Sequence, residues 1–350
     1  MKPISNLQSL LPKLIPVLLL VLVLPVAAQT GIQTTATVNF PQEVTFTLQL
    51  PPDHDVVAAE LTYDVERLSC IDAAAHVPVE LSGSGAEWTW VMTRSGNPPP
   101  GTTLWWQWQL THADGTMTTT ERQTVVLEDG RFPWQTLTDG NITLHWYKGD
   151  EVGPMLLDAA TAGLNQLEGE MGIDIQTPVT FYIYGSSADM REAVLYIQNW
   201  AGGVAFSDYG TILIGVPPEI AADWGVTTVR HELAHLVLGQ YGLSCVGGHR
   251  PTWLEEGLAT YAEGKPSQRV RSDIANAIAN DSFEPLRSLN GAFPADDNRA
   301  SVAYSQSYSV VDFMYRTYGA EAMQRFIQEL AAGADYDSAL MTVYGVNMDG

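Results

Sequence analysis

Two hydrophobic periodicities divide the chain. From about Gln33 to Glu128, apolar and polar residues alternate over short runs at 44–50, 57–65, 86–93, 103–110 and 118–127. A period of two turns one face of an extended strand to a core and the other to water. The runs are rich in Thr, Val, Trp and Tyr, which suit a pleated surface. Turn-forming clusters separate them: Pro51-Pro52-Asp53, Ser82-Gly83-Ser84-Gly85, Asn97-Pro98-Pro99-Pro100-Gly101 and Ala113-Asp114-Gly115. Several short strands of this kind predict an all-β sandwich. Core packing is the expected use of Trp88, Trp90, Trp106 and Trp108, ahead of a carbohydrate platform.

The second regime mixes both periods. A linker at 129–139 leads to a strand at 142–147. Residues 153–172 follow with helical spacing (Met155, Leu156, Ala159, Leu164, Leu167, Met171) and end on glycine. A strand is expected at 179–184, a helix at 188–200 and a strand at 211–215. Further helices are expected at 267–279, 299–318, 320–332 and 335–344, with Tyr318-Gly319 and Tyr344-Gly345 as C-terminal stops. No internal repeat or low-complexity tract stands out.

Between these lies Val226-Thr-Thr-Val-Arg-His-Glu-Leu-Ala-His-Leu-Val-Leu-Gly239, which carries His231, Glu232 and His235 as H-E-x-x-H. Positions i and i+4 of a helix share a face, so two imidazoles can hold one metal ion, and Glu232 can reach a water on that metal. The apolar flanks (Val229, Leu233, Leu236, Val237, Leu238) predict a buried helix, ended by Gly239 and Gly242. A catalytic zinc takes three protein ligands and one open position, so a third ligand is needed. After a loop with Gly247, Gly248 and Pro251, a second helix opens with Glu255 and Glu256. A His six positions past His235 would complete another known set, but Tyr241 stands there; His249 reads as a loop residue.

Trp253-Leu254-Glu255-Glu256-Gly257 resembles the W-L-x-E-G of the gluzincin metallopeptidases, which include aminopeptidase N-like enzymes and the peptidase MA-like family. The resemblance implies Glu256 as third ligand, 21 positions after His235, with Glu255 on the variable position as a solvated first-turn carboxylate. It covers roughly Trp134 to Gly350. It implies that Gly203-Val204-Ala205-Phe206 is the edge strand that pairs with substrate backbone. Family aminopeptidases hold the substrate's free amine with a Glu in G-x-M-E-N. Phe206 matches that position here and no carboxylate follows until Asp208, which leans toward an endopeptidase. The segment around Tyr304 resembles the family's Y-x-K-G, with Gln306-Ser307 in place of Lys-Gly. Tyr304 would then stabilise the oxyanion, with Tyr308 as its rival one turn on. Thermolysin-like members orient the first His with an Asp four positions after the ligand Glu; here that position is Thr260, so the role is unassigned. Peptidase MA-like relatives continue past the point matching Gly350, which implies a shortened chain.

The expected fold is therefore multidomain: an N-terminal Ig-like sandwich at 29–130, then an α+β zincin-like peptidase domain at 131–350 with a mainly helical C-terminal part. Residues 1–28 read as a secretory signal, with a short apolar run at 14–28 and Val26-Ala27-Ala28 before the cleavage point. Uncleaved, it would tether the protein to the outer face of a membrane; cleaved, it would leave the protein secreted. Composition fits a soluble globular protein, being 45% hydrophobic. Against 40 acidic residues stand 17 basic ones, two of them (Lys2 and Lys13) in the signal, which argues against nucleic acid as a partner. Cys70 and Cys245 fall in different predicted domains, and both a disulfide and two free thiols remain open. The function expected is hydrolysis of peptide bonds in a peptide or protein substrate, with one Zn2+ as cofactor. An inactive zinc-binding adhesion module and an aminopeptidase are the competing readings.

Overall fold

The structure, a computed structural model, describes residues 31–69, 73–197, 201–241, 250–294 and 296–350. The signal segment, Cys70, Cys245 and His249 lie outside the described residues.

Eight strands form the N-terminal unit: β1 (Gln33–Asn39), β2 (Glu43–Gln49), β3 (Val56–Val65), β4 (Ala75–Val79), β5 (Gly85–Val91), β6 (Thr102–His112), β7 (Met117–Thr119) and β8 (Gln123–Leu127). They make two antiparallel sheets, one ordered β1-β2-β5 and the other β4-β3-β6-β7, with β8 also paired to β6. Alternate residues of both sheets share one core. Phe46 lies against Tyr63 and Trp106, and Trp108 is fully buried. Trp88 and Trp90 pack on Tyr63 from the other sheet, so all four tryptophans serve the core, as their alternation predicts.

Three expectations need correction here. The run at 118–127 is two strands parted at 120–122, where Thr120 stays bonded to Trp108 through its own amide and through its Oγ1, each at 2.9 Å. Strands β1 and β4, which were not expected, turn only small apolar residues to the core (Ala36 and Val38; Ala75, Val77 and Val79), a weaker alternation than that of the other runs. The stretch at 129–139 is no loose linker. Asp129 is buried and binds Arg131 and the Tyr184 hydroxyl, and β9 (Gln135–Asp139) is already part of the next sheet.

That sheet runs β12-β13-β11-β10-β9, with β10 (Ile142–Trp146), β11 (Val179–Tyr184), β12 (Gly203–Phe206) and β13 (Thr211–Gly215). β10, β11 and β13 are parallel, whereas β9 and β12 run antiparallel to their neighbours. α1 (Val152–Gly169) packs on the sheet and on α3 (Val226–Gly239). α2 (Ser187–Glu192), capped by Ser186, stops well short of the expected 188–200. Its continuation is diverted because Asn97 of the sandwich captures the backbone of Ala193 and Leu195. α4 (Thr252–Ala262), α5 (Gln268–Asn280), α6 (Asp297–Tyr318), α7 (Ala320–Ala331) and α8 (Tyr336–Tyr344) complete the helical part within a residue or two of expectation. One apolar core joins α1, α3, α4, α6 and α7 to the sheet.

Candidate metal centre and its cleft

α3 is buried on the side of Val229, Leu233, Leu236 and Val237, which fixes its rotation and leaves His231, Glu232 and His235 facing a cleft. α4 lies against α3, and Trp253, Leu254 and Leu258 anchor it in the core. Glu256 thereby reaches the two imidazoles. His231 Nε2 and His235 Nε2 are 3.1 Å apart, and Glu256 Oε2 lies 3.5 Å from the first and 3.3 Å from the second.

This triangle can be tested against a metal. Tetrahedral zinc with bonds of about 2.0–2.1 Å sets its ligand atoms about 3.3–3.4 Å apart, close to all three edges. Glu256 Oε2 is buried and makes no hydrogen bond, an orphaned acceptor that a cation would satisfy. Among the described residues, these three form the group of metal-binding side chains close enough to share an ion. The residues present fit the metal.

Charge in the site is consistent with a cation. Burial works against ionisation of Glu256, yet the neighbouring imidazoles overcome it and hold the carboxyl below its usual range. Burial likewise opposes protonation of His231, but Glu256 and Glu263 overcome it and raise the imidazole. Glu263, at the end of α4, accepts from His231 Nδ1 at 2.9 Å and so holds the tautomer that frees Nε2 for a metal. Sequence reading looked for this partner at Thr260, which is buried and does not take part. The useful signal was a second acidic residue two turns after Glu256, on the same helix face.

Glu232 lies half-buried in the cleft wall beside His231 and His235. Burial raises its pKa, the two imidazoles oppose that, and Glu256 adds to it. Gly203 makes room for it: a Cβ there would sit 2.6 Å from Glu232 Oε1. β12 is indeed the sheet edge, and Gly203, Val204 and Ala205 line the cleft of about 450 Å³. Phe206 does not; it packs on the cluster of Tyr182, Tyr184 and Met190. Tyr304 lines the cleft, braced edge-on by Phe293, and α6 can bring it there because Gly257 lets the two helices touch. A Cβ at Gly257 would lie 2.6 Å from Ser307 O. Tyr308 is buried against Tyr261, away from the cleft. Burial first, then Glu256 and Glu232, push the Tyr304 phenol well above its ordinary value, so it stays protonated.

Sequence reading missed five cleft residues, among them Gly239, which it read only as the stop of α3. Ile197, Ala201 and Ser207 carry no motif. Arg250 is nearly buried and binds Glu255 Oε1 through Nε at 3.2 Å. Glu255 is therefore a paired wall of the cleft instead of a freely solvated carboxylate. Asp208 points elsewhere, accepting from Ser69 Oγ at 2.7 Å.

The family model described as the peptidase MA superfamily matches residues 159–350, more than half of the chain. The chain belongs to the peptidase MA superfamily. The match begins inside α1 and contains every metal-site residue, so this superfamily member carries its β-sandwich outside the matched segment. No curated protein matches the chain. Among solved structures, it is similar to a family 56 carbohydrate-binding module that binds β-1,3-glucan (12% identity, 27% of this chain and 98% of that one, TM-score 0.20). A family 64 laminaripentaose-producing β-1,3-glucanase from Paenibacillus barengoltzii is also similar (12% identity, 34% and 27%, TM-score 0.21). So is a polysaccharide deacetylase from Bacillus cereus (9% identity, 46% and 53%, TM-score 0.26).

Proposed function

We propose that this superfamily member is a secreted, zinc-dependent endopeptidase. The observation that carries the reading is the triangle of His231 Nε2, His235 Nε2 and Glu256 Oε2 at 3.1–3.5 Å, on two helices whose packing leaves it facing a cleft. Those three residues would hold the ion. When bound, Zn2+ would supply Lewis acidity to a water and to the scissile carbonyl. Glu232, its pKa raised by burial, takes the proton of the attacking water and returns it to the leaving amine. The Tyr304 hydroxyl donates to the oxygen that becomes negative in the transition state. The free edge of β12 aligns the substrate backbone by strand addition, through Gly203, Val204 and Ala205.

Residues 1–28 serve as the secretory signal in this reading, residues 29–130 as an Ig-like domain, and residues 131–350 as a zincin-like catalytic domain acting on peptides or proteins. No helix among the described residues is long and apolar enough to cross a membrane.

One observation favours N-terminal trimming instead: Glu255 places a carboxylate in the cleft. Arg250 already holds it, which offsets the charge that a substrate amine would need. Internal cleavage is therefore the reading we keep. The experiment is digestion of an unbiased peptide mixture with and without chelator, comparing the parent with Glu232→Gln. Internal cuts by the parent alone, with equal zinc content in both proteins, are expected. Parental turnover in Glu232→Gln would overturn the mechanism, and no cuts by the parent would leave a binding module.

A further inference from the structure

We propose that the N-terminal sandwich is a working part of the substrate cleft: two sandwich clamps hold the segments on either side of β12 and so preset the strand that receives substrate. The proposal rests on the reading of β12 as the substrate-pairing edge.

The leading clamp is Asn97, in the loop between β5 and β6. Its Oδ1 accepts from Leu195 N at 2.8 Å, and its Nδ2 donates to Ala193 O at 2.9 Å. One side-chain amide thus satisfies backbone groups of two residues, as a neighbouring strand would. Leu195 packs on the sandwich core. Tyr196 adopts a φ of +68°, a region that non-glycine residues seldom take, and its hydroxyl donates to Thr93 O. Ile197, the next residue, is cleft wall. A left-handed tyrosine between two sandwich contacts is kept only where its surroundings hold it.

The trailing clamp is Asp208, two positions beyond β12. Its carbonyl accepts from Leu68 N at 2.8 Å and its Oδ1 from Ser69 Oγ at 2.7 Å. Tyr209 packs on the sandwich core, and Ser207 before it lines the cleft. Sandwich contacts therefore hold residues 193–196 ahead of β12 and Asp208 behind it. The strand itself is four residues long and, among the described residues, ladder-paired only to β13. So short an edge strand gains little order from its own ladder. Strand addition costs less when the receiving backbone is already fixed. Neither clamp hydrogen-bonds to α3 or α4, which carry His231, His235 and Glu256, although Ser207 beside the trailing clamp packs on Gly239 at the end of α3. Loosening a clamp should then weaken substrate capture far more than it slows chemistry.

The test uses the full chain with Asn97→Ala, Asn97→Asp (which keeps the acceptor for Leu195 N) and Ser69→Ala. Thr120→Ala serves as a sandwich variant away from the seam, since Thr120 bonds only within the sandwich, to Trp108 N. Two measurements are made: amide hydrogen exchange of residues 201–209, and KM and kcat for a fluorogenic peptide that the parent cuts. Asn97→Ala and Ser69→Ala should exchange faster in that segment and raise KM on the order of tenfold, with kcat within about twofold. Asn97→Asp should fall between them and the parent. Thr120→Ala should change neither. Unchanged exchange and KM in Asn97→Ala and Ser69→Ala, or equal changes in Thr120→Ala, would overturn the proposal. If the parent cuts no peptide, the peptidase reading fails while the exchange data still decide whether the clamps hold β12.

Discussion

His231 Nδ1 and Glu263 Oε1 lie 2.9 Å apart, so the last residue gripping the metal site is one that no H-E-x-x-H pattern names. The carboxylate fixes the ring's tautomer and its orientation. Glu263→Ala should weaken zinc binding by about 10–100-fold, the usual cost of losing such a partner. Glu263→Gln, which keeps an acceptor, should lose less. Competition with a chromophoric chelator measures both; parental affinity in Glu263→Ala would refute the role.

Removing metal should destabilise the fold. An ion held by Glu256 and the two histidines would tie α3 to α4, and ligand-linked stability at a thousandfold excess over Kd is about 4 kcal/mol. Thermal unfolding should therefore shift down in chelator and recover with zinc. Glu256→Gln should abolish that recovery. A melting curve indifferent to zinc in the parent would sink the site.

Gly203 should prove intolerant of any side chain. A Cβ would stand 2.6 Å from Glu232 Oε1 and push that carboxylate off its position beside His231 and His235. Gly203→Ala should lower kcat by one to two orders of magnitude, about 1.4–2.8 kcal/mol of barrier, with zinc stoichiometry intact. Loss of zinc along with activity would mean that the helix itself had shifted.

Alkali should act through buried phenols. Tyr304 is raised by burial and by Glu256 and Glu232, and Tyr184 is raised by burial and by Asp129. A folded-state pKa above the unfolded value contributes stability that is complete below the unfolded pKa of 10.0 and is lost as pH rises past it. Unfolding above about pH 10 should therefore coincide with phenolate absorbance. The hydroxyl of Tyr304 should also add no alkaline limb to activity below that pH. Phenolate formation from a still-folded protein near pH 10 would contradict this.

How much of this was legible beforehand depends on whether a signal is local. H-E-x-x-H and W-L-x-E-G are each set by the period of one helix, so His231, His235 and Glu256 could be named from spacing and resemblance. Alternation in 33–128 announced strands for the same reason, while β1 and the proline-bearing β4 alternate only small apolar residues, a signal too weak to stand out. The expected helix at 188–200 failed because Asn97, about a hundred positions away, competes for its backbone. Phe206, expected on the substrate edge, packs on Tyr182 and Met190 for a related reason: the way a side chain faces depends on what packs behind its strand.

By itself the amino-acid order determined which groups stand one helical turn apart, where strands alternate, and hence the metal-binding chemistry on offer. Only tertiary structure decided which carboxylate orients His231, which tyrosine enters the cleft, and that the sandwich holds residues 193–196 ahead of β12 and Asp208 behind it. Those are contacts between residues far apart in sequence, and they exist only because close packing of separate elements leaves one arrangement that fills the space and satisfies the buried polar groups.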